Sequence, residues 1–213
     1  MIESATGLVL RARPLTETSL IVHWLTAKYG RIKTVAKGAR RPKSPFRGKV
    51  DLFYLAEFSF SRSQRSELHN LREVSLQETF PSLRRDLTYL NQASYCAQLI
   101  EQTSEAETPL PEVFELARCF VATLAKHPPA PFTVFVFEIK LLSDLGMMPD
   151  LAATRLSALA KQLIVQAVTQ AWDELGSVDF PENLRRELRQ FLHGFLIFHL
   201  GKIPAGRSAA WLE

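Results

Sequence analysis

The chain has 213 residues, 46% of them hydrophobic and 23% charged, with a formal net charge of +4. That apolar content is enough for one large core or two smaller ones. The richest apolar run, Phe132–Leu142, is broken by Glu138 and Lys140, so no stretch suits a membrane span. Met1-Ile2-Glu3-Ser4 lacks the basic-then-apolar order of a secretory leader, and Cys96 and Cys119 make neither a disulfide framework nor a zinc pattern. A reducing, cytoplasmic setting is the expectation.

The first 75 residues read as strands. Leu8–Arg13 passes from apolar to alternating and ends at Pro14. Ser19–Leu25 follows, then Arg31–Ala36 after Gly30. Leu52–Phe60 alternates, with Phe58 and Phe60 on one face and Glu57 and Ser59 on the other. The polar turn Arg62–Ser66 leads to a last strand near Leu68–Val74. Five short strands in this length predict a small barrel, of the oligonucleotide-binding (OB) or the SH3-like type.

After Leu76 the apolar period becomes helical. A helix is predicted over Leu83–Thr103. A second opens at Thr108-Pro109, a capping residue before proline, and runs through Val113, Leu116, Phe120, Val121 and Leu124. Phe132–Leu145 is apolar nearly all round, which predicts a buried central helix that Gly146 can cap. Two more follow over about Arg155–Leu175 and Glu182–Leu200, the latter ended by Gly201. The domains are therefore expected at 1–76 and 77–213, an α+β chain with a barrel followed by an all-α bundle.

The charge is concentrated on the third strand and in the loop that follows it. Residues 28–49 hold Lys28, Arg31, Lys33, Lys37, Arg40, Arg41, Lys43, Arg47 and Lys49 and no acidic side chain. Without those nine, 17 basic residues face 22 acidic ones. So dense a cluster repels itself, and a polyanion relieves the repulsion. In its first half Arg31 and Lys33 are read to one side of a strand, Ile32 and Val35 to the other. Its second half, residues 38–49, is a Gly/Pro/Ser-containing loop able to wrap a phosphate backbone. Phe46, amid its charges, is placed either to stack on a base or to anchor the loop to the barrel.

Catalytic machinery is not visible. No phosphate-binding loop and no Gly-x-Ser-x-Gly occurs, and residues 201–208 have the wrong glycine and lysine spacing. His193 and His199 lie six apart on one helix, hence on different faces. Glu138 is set among apolar residues and is expected to pair with an arginine of a neighbouring helix. A nucleic-acid-binding protein follows, with DNA and RNA both open; an RNA-binding module in translation or RNA processing is the alternative to a DNA-binding one.

Arg13–Val22, with its Arg-Pro-x-x-Glu-Thr, and Tyr29–Ser44, with Val-Ala-Lys-Gly-Ala-Arg, closely resemble the N-terminal half of the bacterial RecO family. Phe137-Glu138, Leu145–Leu151, His199-Leu200-Gly201 and Trp211-Leu212 resemble that family's central helix, its exit and its C-terminal signature. The resemblance implies an N-terminal OB barrel and a helical domain. It implies a non-catalytic recombination mediator that binds single- and double-stranded DNA and anneals strands. It also implies work with RecR and the single-strand-binding protein SSB to load RecA. Many relatives insert a four-cysteine zinc module where Asp150–Thr154 here passes straight on, so no metal and no cofactor is expected. Relatives carry basic residues before the Phe-Glu of the central helix, where this chain has Val134, Phe135 and Val136. Arg118, Lys140, Lys202 and Arg207 remain as candidate partners for the acidic SSB tail, whose docking is expected to be weakened.

Overall fold

In the computed structural model, residues 2–175, 178 and 180–212 are described. Five strands, β1 (Ile2–Pro14), β2 (Leu20–Thr26), β3 (Gly30–Ala36), β4 (Leu55–Ser61) and β5 (Leu68–Glu78), close into a barrel. The order is β1-β2-β3-β5-β4. Every neighbouring pair is antiparallel except β3 with β5, which is parallel. This is the OB arrangement, and it decides between the two barrel types that the strand pattern left open. β1 is longer than predicted because it pairs with β4 over its first half and with β2 over its second, with an irregularity at Leu10 between them.

Alternation places Val22, Trp24, Ile32, Ala36, Phe58 and Phe60 in the barrel core. Trp24 stacks on Phe58 with ring centroids 4.1 Å apart, and its Nε1 donates to the buried Thr34 Oγ1 at 2.8 Å. Val35 corrects one expectation. It shares the outer face of β3 with Arg31 and Lys33, since a period of two puts residues 31, 33 and 35 together.

The residues divide into two compact units, Met1–Pro81 with Ser104–Arg118, and Ser82–Thr103 with Cys119–Glu213. Residue 76 lies within β5, which continues to Glu78. Segment 104–110 is not the start of a helix. It runs beside β3, where the Glu107 N–H donates to the Arg31 carbonyl at 2.9 Å and Ala106 bridges Arg31. Gly30, at φ +60, lets this segment approach; a Cβ there would lie 1.8 Å from the Thr108 carbonyl oxygen. Arg62 joins Glu3 at 2.8 Å and also pairs with Glu107, tying the segment to the barrel wall.

The helices are α1 (Leu87–Thr103), α2 (Pro111–Lys126), α3 (Pro131–Asp144), α4 (Ala158–Thr169), α5 (Glu182–Leu200) and a short α6 (Arg207–Ala210). α1 starts later than predicted because Asp86 accepts from the Thr88 N–H and hydroxyl, both at 2.7 Å, and so caps it. α4 starts later because Ser157 caps it. Gly201 ends α5 at φ 71, as its position predicts. α3 is buried almost all round, as its composition predicts.

Candidate nucleic-acid interface

The β3–β4 connection, residues 37–54, is a succession of tight turns. Backbone bonds run from Ala39 to Ala36, Arg41 to Gly38, Ser44 to Arg41, Arg47 to Ser44 and Lys49 to Phe46. The Arg40 N–H donates to the Thr18 carbonyl at 3.0 Å, which pins the loop to the β1–β2 turn. Ala39, Phe46 and Val50 enter the barrel core. Three apolar anchors thus fix a backbone whose remaining side chains are largely cationic.

Phe46 is 6% exposed, so it anchors the loop and offers no face to a base. It is a packed wall of the loop and not an open stacking platform. Lys37, Arg40, Arg41, Lys43 and Arg47 are exposed, and Lys49 is half-buried. Among the described residues no carboxylate pairs with these six. Arg40 Nη1 reaches the Thr16 carbonyl at 3.4 Å and Arg47 Nη1 the Pro42 carbonyl at 3.1 Å; both bonds steady the guanidiniums without neutralising them. Lys28 is exposed, its ammonium 4.8 Å from the centroid of Tyr29.

Two other predicted contacts are already engaged. Arg31 Nε donates to Ser104 Oγ at 2.7 Å, and its Nη2 reaches the Ser104 carbonyl. Its role is to hold segment 104–107. Lys33 pairs with Glu67 at 3.0 Å. The cationic surface is therefore centred on the loop and not on the outer face of β3. Arg72, exposed on β5, borders this surface through a groove that it shares with Lys49. A lone arginine in a strand carries no signal that would have singled it out.

The four candidate cations for the SSB tail differ in their surroundings. Arg207 is buried, and its Nε and Nη2 each meet a Glu138 carboxylate oxygen at 2.8 Å. Lys140 is half-buried and donates to the Gln170 carbonyl at 2.7 Å; burial holds its ammonium below the usual lysine range. Arg118 pairs with Glu115 on α2. Lys202 is exposed. Arg207 therefore drops out of the set, and the Glu138 partner expected from the sequence is this same residue.

Among the described residues, no three His, Cys, Asp or Glu side chains gather as a metal site. Cys96 is buried, and burial pushes its thiol well above the ordinary range, so it is a poor ligand. Elemental analysis of the purified protein should find far less than one zinc per chain, since a structural zinc requires about four ligands. A stoichiometric, chelator-resistant zinc would contradict this. Among the described residues no helix is long and apolar enough to cross a membrane.

Residues 1–80 match the family described as Recombination protein O N terminal, and residues 84–157 match Recombination protein O C terminal. The chain belongs to the RecO family. It is 34% identical over 148 residues to the DNA repair protein RecO of Anaeromyxobacter sp. (strain K), covering 70% of this chain and 58% of that relative. It is 31% identical over 145 residues to the protein of the same name from Syntrophus aciditrophicus (strain SB), covering 68% and 56%. For that of Bacillus pumilus (strain SAFR-032) the figures are 30% over 151 residues, 71% and 58%. The chain thus spans less than two thirds of the length of these RecO relatives. The N-terminal family match contains the whole barrel and its basic loop.

Proposed function

We propose that this chain is a DNA repair and homologous-recombination mediator. In this reading the barrel, 1–76, binds single- and double-stranded DNA, and the helical part, 77–213, meets protein partners. The protein anneals complementary strands and helps RecR load RecA on SSB-coated single strands, without catalysing a reaction. It works in the cytoplasm at the nucleoid. The observation that carries the proposal is the run of exposed cations from Lys37 to Arg47, without a carboxylate among them, on an OB barrel. The name of its relatives, DNA repair protein RecO, favours DNA over the RNA-binding alternative.

The test is annealing of complementary SSB-coated oligonucleotides, with RNA as competitor. Acceleration that RNA does not suppress supports the proposal; no acceleration, or suppression by equimolar RNA, opposes it. Binding itself should be independent of sequence and steeply dependent on salt. If the loop neutralises about six phosphates, log K for a single strand falls with log salt at a slope near about −4. A slope near zero over roughly 50–300 mM salt would remove the electrostatic reading.

The SSB tail should bind weakly. Val134, Phe135 and Val136 are buried in α3 and carry no charge, and Arg207 is taken up by Glu138. Exposed ion pairs contribute only about 0–1 kcal/mol each. A labelled tail peptide should therefore show low affinity that salt lowers further. Tight binding that ignores salt and survives Arg118→Ala and Lys140→Ala would place the pocket elsewhere.

A further inference from the structure

We propose that a groove between the β3–β4 loop and strands β1, β4 and β5 takes the nucleobases of a single strand whose phosphates lie on the loop. This rests on the reading of the loop as a DNA-binding surface and adds what lies on its other side. Phe46 is a wall common to two concavities. One, of about 410 Å³, is bordered by Arg40, Arg41 and Arg47, with Asp51 as its one acidic residue. The other, of about 640 Å³, has Pro45 and Lys49 on the loop side and Ala5, Phe58 and Val74 on the barrel side.

The two differ in charge, and the difference assigns them. Three guanidiniums around one concavity suit a phosphate. In the larger groove Glu57 and Glu73 stand beside Lys49 and Arg72, so cations and carboxylates balance. Two carboxylates disfavour a phosphate there. What remains is a charge-balanced groove with Pro45 at its side and the packed edges of Phe46, Phe58 and Val74 at its floor, edged by donors, acceptors and the hydroxyls of Ser4, Ser59 and Ser75. A nucleobase has the matching chemistry: apolar faces, an uncharged edge of donors and acceptors, and no negative charge. The volume lies within the range of small-molecule sites, roughly 300–1,000 Å³. Phe46 lines both concavities, so they adjoin across the loop and one strand can place phosphate in one and base in the other. Duplex bases are stacked inward and do not reach such a groove, so it discriminates single from double strands. OB barrels often use the face of β2 and β3. Here Arg31 and Lys33 on that face are held by Ser104 and Glu67.

The test compares the full chain's affinity for a thymidine oligonucleotide, an abasic strand of equal length, a uridine RNA strand and a duplex. The abasic strand keeps every phosphate and lacks bases. The thymidine strand should bind about tenfold tighter than the abasic one, with a similar salt slope. Ser4 and Ser75 are exposed at the rim. Ser4→Trp and Ser75→Trp should each fill the groove, bring thymidine binding down to the abasic level and leave abasic and duplex binding unchanged. A uridine strand with the same advantage over the abasic one also supports a base site, and its ratio to a deoxyuridine strand gives the sugar preference. Equal affinity for intact and abasic strands overturns the proposal, as does a preference that survives both tryptophans. Failure of the abasic strand to bind with any salt dependence would instead overturn the loop reading. A second measurement needs no variant. Photocrosslinks from an iododeoxyuridine strand should map to residues 45–49, 57–59 or 72–75 of the wild type; crosslinks confined to other segments overturn the base assignment.

Discussion

Reversal of Lys37, Arg40 and Arg41 to glutamate should abolish strand annealing while leaving the fold intact. The three side chains are exposed, none is paired with a carboxylate among the described residues, and Arg40 makes only a long contact, 3.4 Å, to the Thr16 carbonyl. Surface substitutions of this kind change stability by about 0.5 kcal/mol or less, so the thermal transition should stay close to wild type. Binding should respond very differently. Three favourable phosphate contacts become three repulsive ones at the centre of the cationic surface, and low-salt affinity should fall by roughly two orders of magnitude or more. Annealing of SSB-coated oligonucleotides and circular-dichroism melting, measured on the same preparation, separate the two effects. Unfolding of the triple variant would show that the cluster has a structural task; undiminished annealing would show that the DNA lies elsewhere.

The barrel was legible because each of its middle strands alternates. Phe58 and Phe60 mark the inner face of β4 by spacing alone, whereas on β3 the expectation placed Val35 beside Ile32 and the period of two puts Ala36 there. The first half of β1 was not legible. Residues 2–7 are mostly small or polar and owe their strand conformation to pairing with β4, a partner distant in sequence whose residues run from Ser61 opposite Ile2 to Ala56 opposite Gly7. Segment 104–110 misled for the converse reason. Thr108-Pro109 has good helix-start chemistry, but the bridge to Arg31 holds it extended until Pro111. The site divides in the same way. Charge density located the loop without any structure, because charge is additive along a sequence. Which cations remain available depends on neighbours distant in sequence: Ser104 for Arg31, Glu67 for Lys33. Phe46 was open between base and barrel, and only the fold-back of the loop between Ala39 and Val50 decides for the barrel. α6, at four residues, is too short for periodicity to reveal, and so Arg207 was read as a surface cation.

The largest stability effect should come from that arginine. Glu138 is fully buried on α3, and its carboxylate accepts from Arg207 on α6, from Tyr95 Oη on α1 at 2.5 Å and from Trp211 Nε1 at 3.3 Å. One carboxylate thereby joins two helices and the chain's C-terminal turn. Arg207→Ala leaves the charge buried with two neutral donors, and breaking such a pair costs about 3–5 kcal/mol. For a protein of this size that is a fall of roughly 6–20 °C in the transition of the helical unit. Tyr95→Phe should cost less, about 1.5–3 kcal/mol, because one hydrogen bond to a charged group is lost. Glu138→Leu combined with Arg207→Met should recover much of the loss, since it removes both charges together. Burial, reinforced by the neighbouring Glu138 carboxylate, raises the Tyr95 hydroxyl well above its ordinary range. The folded chain then keeps a proton that the unfolded chain gives up near pH 10. Its contribution is intact below that pH and is lost as pH rises above it, a decline that Tyr95→Phe should reduce. Urea unfolding followed at the helical signal checks the series; an Arg207→Ala protein as stable as wild type would mean that the buried pair holds nothing together.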